Sequence, residues 1–283
     1  MIRLIADSTC DLSPELKERY HVDILPLSTV LGEDVYTDGV DIEPKDLYAW
    51  SDRTKQTPKT AVFSIQQAKD KFRPYLDAGD ELLCLSISES MSASGQVMRM
   101  AAEELRAGDR VHVVDSQNLS TGIGLLVLKA AEAAEAGKDI PEIIRVLEAT
   151  RPLVRSSFVI DTMTYLHRGG RCSGIVALAG NALRIHPEIV VQDGAMKPNH
   201  KYRGNMNHVL REYERDLTDA MLKADPSHVF ITHSPMPADD VRMVLDYVEN
   251  LHYFREIHET NAGSVVSSHC GPNTLGILFI AKE

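Results

Sequence analysis

The 283-residue chain has only four cysteines and one tryptophan. No apolar run approaches the roughly 20 residues that a membrane span needs. Cys10, Cys84, Cys172 and Cys270 lie far apart, with no C-x-x-C pair and no metal-ligand spacing. Free thiols in a reducing, cytoplasmic compartment are the simplest reading. The N-terminus meets Asp7 before an apolar signal core can form. Positive charge is also short: 30 basic against 41 acidic side chains leave a formal charge of −11. That argues against nonspecific nucleic-acid binding, which needs basic surface to displace counterions. It argues equally against docking on anionic membrane by charge, so no stable membrane insertion is expected.

The familiar catalytic loops are missing too. There is no G-x-x-x-x-G-K-S/T phosphate loop, no H-E-x-x-H and no G-x-S-x-G elbow. Gly122 and Gly124 give G-x-G, but Val127 stands where a third glycine belongs. The pair is read as packing a helix start. Among 11 histidines, His233, His258 and His269 are candidates to converge, yet no spacing groups them. No metal and no cofactor is expected.

What is present alternates between strand and helix patterns. "RLIAD" is a short apolar strand, followed by Ser13 and Pro14 as N-cap and first residue of a helix. "DILPLSTV" reads as a second strand. Ser64 and Gln67 form a capping-box pattern, and so do Asp139 and Glu142. "ELLCLSIS" and "RVHVVDS" read as strands, each followed by a helix. The alternation predicts a mainly parallel sheet covered on both faces. Its ligand end is the carboxyl end of the strands, where Asp7-Ser8-Thr9, Ser86-Ile87-Ser88 and Asp115-Ser116 stand. Asp7 and Asp115 are expected to bond loop amides there. After "SSFVIDT" the pattern changes to two strands around Asp193-Gly194, then strands paired with long helices. The reading is α/β: an N-terminal α/β domain over 1–155 and a second, α+β domain over 156–283.

Serines crowd one segment: Ser86, Ser88, Ser90, Ser92 and Ser94. Two chemistries compete. Ser92 or Ser94 with His269 would make a nucleophile–base pair, the basis of a serine-dependent acyl hydrolase. The alternative is that these hydroxyls cap a helix starting near Ser92 and satisfy turn amides.

Four segments taken together resemble the DegV family. "ADSTCDLSPEL" is similar to its opening D-S-T-x-D-L, and "SISESMSASGQ" to its I-S-S-x-L-S-G-T. "FVIDTMTYLHRGGRCS" is similar to D-T-L-x-Y-L-x-x-G-G-R-I-S, and "SSHCGPNTLGILF" to T-H-x-G-P-G-x-L-G-x-x-F. "VVDSQNLSTGIGLLV" and "DGAMKPNHKYRGN" also fit, so the likeness spans essentially the whole chain.

The resemblance implies two α/β domains with a long-chain fatty acid between them. The tail would lie in an apolar channel and the carboxylate on hydroxyls and a histidine. It further implies a substrate-presenting subunit with no catalytic residues of its own, serving a separate ATP-dependent fatty acid kinase. By position, the carboxylate contacts map onto Thr60, Ser92, Ser94 and His269. Arg168, Arg171, Lys201 and Arg203 fall in segments similar to the family's basic loops and are partner-facing candidates. The chain departs from the family pattern at Ala61, Val62 and Phe63, where T-S-Q-P-S is common, at Ala93 in the serine turn, and at Asn273. Phe63 is expected either to narrow the channel or to be core. His269 has a plainer alternative as a structural strand-end histidine, and Gly169 and Gly170 are read as a turn requiring positive φ. Besides the carrier and the hydrolase, a sensor of another amphiphile remains a third reading.

Overall fold

The computed structural model describes residues 1–172 and 185–282. Ser173, the last residue of the third family-like segment, lies outside the described residues. The first part of the chain runs β1 (Ile2–Asp7), α1 (Pro14–Arg19), β2 (Val22–Leu25), β3 (Ser28–Leu31), β4 (Asp34–Thr37), α2 (Pro44–Thr54), β5 (Lys59–Ala61), α3 (Ile65–Asp77), β6 (Glu81–Ser86), α4 (Ser94–Glu104), β7 (Val111–Asp115), α5 (Thr121–Glu135) and α6 (Ile140–Thr150). The rest runs β8 (Val154–Val159), α7 (Thr164–Gly169), β9 (Ile185–Gln192), β10 (Ala195–Arg203), α8 (Met206–Met221), β11 (Ala224–His233), α9 (Ala238–Asn250), β12 (Glu256–Asn261), α10 (Ser264–Cys270) and β13 (Leu275–Ala281).

Three sheets result. The first is all parallel, in the order β2-β1-β6-β7. The second is mixed, in the order β10-β9-β8-β13-β11-β12. A small antiparallel sheet, β4-β3-β5, stands beside them. The two-residue period of a strand explains the layering. In β1, Leu4 and Ala6 join one core while Ile5 joins another, against α3 and α4. The first core is shared: Leu4 and Leu83 from the parallel sheet and Phe230 and Leu278 from the mixed sheet all belong to it. Between them runs α5, which packs against strands of both sheets and is buried along most of its length. A helix apolar over most of its surface is what such a position demands, and charge enters α5 only from Lys129 on. The far face of the mixed sheet is covered by α8 and α9.

Most local expectations hold. Ser13, Ser64 and Asp139 cap their helices, the last two within capping boxes. Asp193 and Gly194, at φ 52° and 76°, turn β9 into β10. Gly122 and Gly124 lie in the first turn of α5, pressed by Asn118, Ser156 and Leu12, which is a packing role.

Three expectations are corrected. "DILPLSTV" is two strands in different sheets, because Pro26 has no N–H to continue a ladder and the chain leaves the parallel sheet there. His269 is not at a strand end but in the last turn of α10. Ser92 does not cap α4: the N-cap is Ala93, with no side-chain bond, and Ser92 bonds Ser94 instead.

Candidate functional site

Between the two large sheets lies a cavity of about 260 Å³. Its walls are apolar: Phe158 and Met196 come from the mixed sheet, Leu166 from α7, and Leu27, Met91 and Leu119 from the connecting loops. A narrow extension of about 30 Å³ shares Leu119, Phe158, Val266 and Cys270 with it. Its polar lining consists of Thr9, Thr60, Ser92, Arg171 and His269. Five side chains distant in sequence therefore line one cavity, each able to donate a hydrogen bond, and two of them, Thr60 and His269, touch.

The fold positions each of them. α10 has only seven residues, and "SVVSSHC" is a poor helix former by composition. Tertiary bonds hold it. Asp38 Oδ1 accepts from the Ser264 amide and hydroxyl, both at 2.7 Å, and from the Val265 amide at 3.3 Å. Its Oδ2 accepts from Ser8 at 2.7 Å. Asp11 accepts from the Gly263 amide at 2.8 Å and from Ser120 at 2.5 Å. Burial pushes the Asp11 carboxyl well above its ordinary range. Thr29 and Ser264 share a hydroxyl bond of 2.9 Å, and Tyr48 donates to the Ser267 carbonyl at 3.2 Å. The helix is thus clamped at its start and middle by residues from the first fifty.

His269 then meets Thr60 on β5, with Nε2 and Oγ1 3.0 Å apart. Burial, and secondarily the nearby Arg171 guanidinium, lower the imidazole pKa to about 4. The ring is therefore neutral near pH 7. Its Nδ1 is buried with no partner among the described residues. Gly169 explains how the ring fits: a Cβ there would stand 2.3 Å from Nδ1. Gly170 has positive φ (68°), as read from the sequence, but the role of Gly169 is close approach. Arg171 follows directly, donating to the Gly169 carbonyl at 2.6 Å and to the Met91 carbonyl at 3.5 Å.

The serine run divides its labour. Asp7 is fully buried, accepts from Thr9 and from the Ile87 amide at 2.8 Å, and so fixes the start of the serine loop. Burial raises its pKa to about 6. Asp115 bonds the Glu89 and Gln117 amides. Ser88 donates to the Gly194 carbonyl at 2.7 Å, and Ser90 donates to the same carbonyl, tying the loop to the β9–β10 turn. Ser92 lines the cavity, and buried Ser94 supports it at 2.9 Å.

No nucleophile–base pair forms from these serines among the described residues: the His269 Nε2 is bonded to Thr60, and no carboxylate orients Nδ1. Ala61 and Val62 line the cavity, whereas Phe63, 1% exposed, is core. Arg168 is exposed and bonds Thr57 at 3.1 Å; Lys201 and Arg203 are exposed on β10. Arg171 stands apart from these three, because it lines the cavity. Sequence reasoning placed it only on the partner surface, and it missed Asp11 and Asp38. The signal for Arg171 was present, since it directly follows the glycines that seat His269.

Fold and cavity together define an α/β protein of two sheet-centred units with a largely apolar site that carries a few polar side chains. The particular family follows from comparison. A family model described as "Uncharacterised protein, DegV family" matches residues 1–282, and the chain belongs to that family. A DegV domain-containing protein of Clostridium perfringens is 31% identical over 282 residues, 99% of each chain. Protein DegV of Bacillus subtilis is 25% identical over 282 residues, again 99% of each. Among solved structures, a fatty-acid-binding DegV family protein from Thermus thermophilus superposes with a TM-score of 0.91 at 28% identity, covering 99% of both chains. A stearic-acid-binding protein from Eubacterium ventriosum gives 0.86 at 28% identity, covering 100% of this chain and 99% of its own. No described helix is long and apolar enough to cross a membrane.

Proposed function

We propose that this protein binds one long-chain fatty acid, with its tail in the apolar cavity and its carboxylate on Thr60, Ser92 and His269, and that Arg171 adds a compensating charge. The observation that carries the reading is that these donors line one largely apolar cavity, with Thr60 and His269 in contact. The fatty-acid-binding relatives from Thermus thermophilus and Eubacterium ventriosum support it. Physical chemistry supports the division of labour. A tail of about 16 carbons, at ~0.8 kcal/mol per CH₂, offers ~13 kcal/mol gross, much of it offset by immobilisation. A carboxylate left unpaired beside such walls would forfeit several kcal/mol. Hydroxyls and a neutral imidazole N–H satisfy it.

In this reading the protein presents the carboxylate to a separate ATP-dependent kinase, which docks through Arg168, Lys201 and Arg203, and has no catalysis of its own. The test is organic extraction of purified protein and mass spectrometry. About one fatty acid per chain is expected; a different amphiphile would favour the sensor reading. Acyl-phosphate formation is expected only when a kinase subunit and ATP are added, and esterase turnover abolished by Ser92→Ala would overturn the carrier.

A further inference from the structure

β11 and β12 run parallel at one edge of the mixed sheet, with His228 opposite Glu256 and Phe230 opposite His258. The strand period puts all four side chains on one face. It is the face on which α5 lies, since Thr121 of α5 bonds Thr232 at 2.6 Å and Glu132 of α5 reaches His228 at 2.9 Å. The result is a knot of metal-ligating atoms, none of them part of the cavity described above. His228 Nδ1 lies 3.0 Å from His258 Nε2, and the ligand atoms of His228, Glu256 and His258 all fall within 4.8 Å of one another. The two rings stack at 5.2 Å, and Phe230 backs His258 at 4.7 Å.

We propose that His228 Nδ1, His258 Nε2 and the Glu256 carboxylate bind one divalent transition-metal cation, zinc above all, with Glu132 orienting His228 from behind. The donor set is two imidazoles and one carboxylate, which suits zinc rather than magnesium or calcium. Two nitrogens on one tetrahedral zinc, at about 2.0–2.1 Å each, stand about 3.3 Å apart. The observed 3.0 Å therefore needs an opening of only a few tenths of an ångström. Glu132 on Nε2 keeps the proton there and leaves the Nδ1 lone pair aimed at His258, the carboxylate–histidine arrangement that supports a metal. Two cations oppose binding. Lys129 sits 3.3 Å from Glu132 and 3.1 Å from Asp225, and so remains behind the site. Arg19 forks onto Glu256 at 2.7 and 3.0 Å and must release it. Its side chain is 56% exposed, so release returns it to water. A bound ion would pin the edge strand β12 to β11 and to α5, the helix both sheets share, and would raise stability by mass action.

The test uses the full chain, stripped with chelator and titrated calorimetrically with Zn²⁺ against a competing chelator. One equivalent is expected. His228→Ala and His258→Gln should each weaken it by tenfold or more and Glu132→Gln by roughly 10–100-fold, whereas Arg19→Ala, which frees Glu256, should tighten it. Zinc should raise the melting temperature of the wild-type protein and not of the histidine variants. Should the variants fail to fold, the visible spectrum of the Co²⁺-loaded wild type decides: intense four-coordinate bands support the site and weak six-coordinate bands refute it. Absence of zinc uptake, or equal affinity in wild type and both histidine variants, would reduce the pair to an ordinary hydrogen bond. The site stands independently of the fatty-acid reading.

Discussion

Replacing Thr60 by valine isolates the head-group chemistry, because the two side chains have nearly the same shape. The hydroxyl has two jobs in the proposed complex. It donates to the carboxylate, and in the unliganded protein it holds His269 Nε2 at 3.0 Å. A hydrogen bond to a charged group is worth about 1.5–3 kcal/mol, roughly 10- to 150-fold in affinity. Loss of the second job adds to this. Nδ1 of His269 already has no partner among the described residues, so Thr60→Val leaves the ring without a hydrogen bond on either nitrogen. The ring then samples orientations that the carboxylate must reorder. We expect Thr60→Val to weaken fatty-acid binding about 100-fold, and Thr60→Ser to stay within a few-fold of wild type. Displacement of a fluorescent fatty acid measures both. The double variant Thr60→Val/His269→Ala should lose less than the sum of its parts, since the two side chains share one bond and one ligand. Wild-type affinity in a folded Thr60→Val protein would refute the assignment of the carboxylate to this wall, whatever the cavity holds.

Acid should weaken the unliganded fold through His269. The unfolded chain takes up a proton near pH 6.5, but the folded ring resists until about pH 4, so the unfolded state holds more protons between these values. Stability from this group is complete above pH 6.5 and declines toward pH 4, by at most about 3 kcal/mol and less for a ring on an open cavity wall. Denaturant titrations of wild type and His269→Gln across this range should converge as pH falls; parallel curves would show the ring is not desolvated. Gly169→Ala places a methyl against Nδ1 and should cut fatty-acid affinity at least tenfold with little change in melting temperature, and unchanged affinity would mean the ring is free to move. Asp38→Ala removes four hydrogen bonds from a buried carboxylate and should cost on the order of 2–4 kcal/mol in chemical denaturation; a loss below about 0.5 kcal/mol would show that α10 holds itself. Arg171→Glu should lower lipid content while Arg203→Glu leaves it intact, as read by extraction and mass spectrometry; equal lipid loss in both would return Arg171 to the surface group.

What the sequence made legible was local. Ser64 with Gln67, and Asp139 with Glu142, announce helices because the caps are bonds between near neighbours. The strand "ELLCLS" is legible because it is buried on both faces and its run is apolar, and "VHVVD" because it is rich in β-branched valine. α2 carried a usable sign that went unread, Pro44 at its first position with Glu43 and Asp46 as a capping box. α10 carried none. Its β-branched and hydroxylic residues make a helix only because Asp11 and Asp38 hold its start, and no window of sequence contains both partners. The family motifs marked Thr60, Ser92 and His269, yet the bond between Thr60 and His269, the neutrality of the ring and the place of exposed Arg171 at the cavity all depend on the tertiary fold. The His228–His258 pair was invisible for the same reason: parallel register, not spacing, makes those residues neighbours.

The clamp on α10 also sets an order of events during synthesis. Asp38 and Ser264 are 226 positions apart, and Thr60 and His269 are 209 apart. The four strands of the parallel sheet are complete by Asp115 and can pair while later residues are still being added. The wall that would receive a carboxylate is not complete then. It closes only when the segment around residue 269 leaves the ribosome and threads back onto β3 and β5. A shortened chain ending before Ser264 would keep the residues of every strand of the parallel sheet, yet it would lose His269 together with β13, the strand that joins β8 to β11 in the mixed sheet.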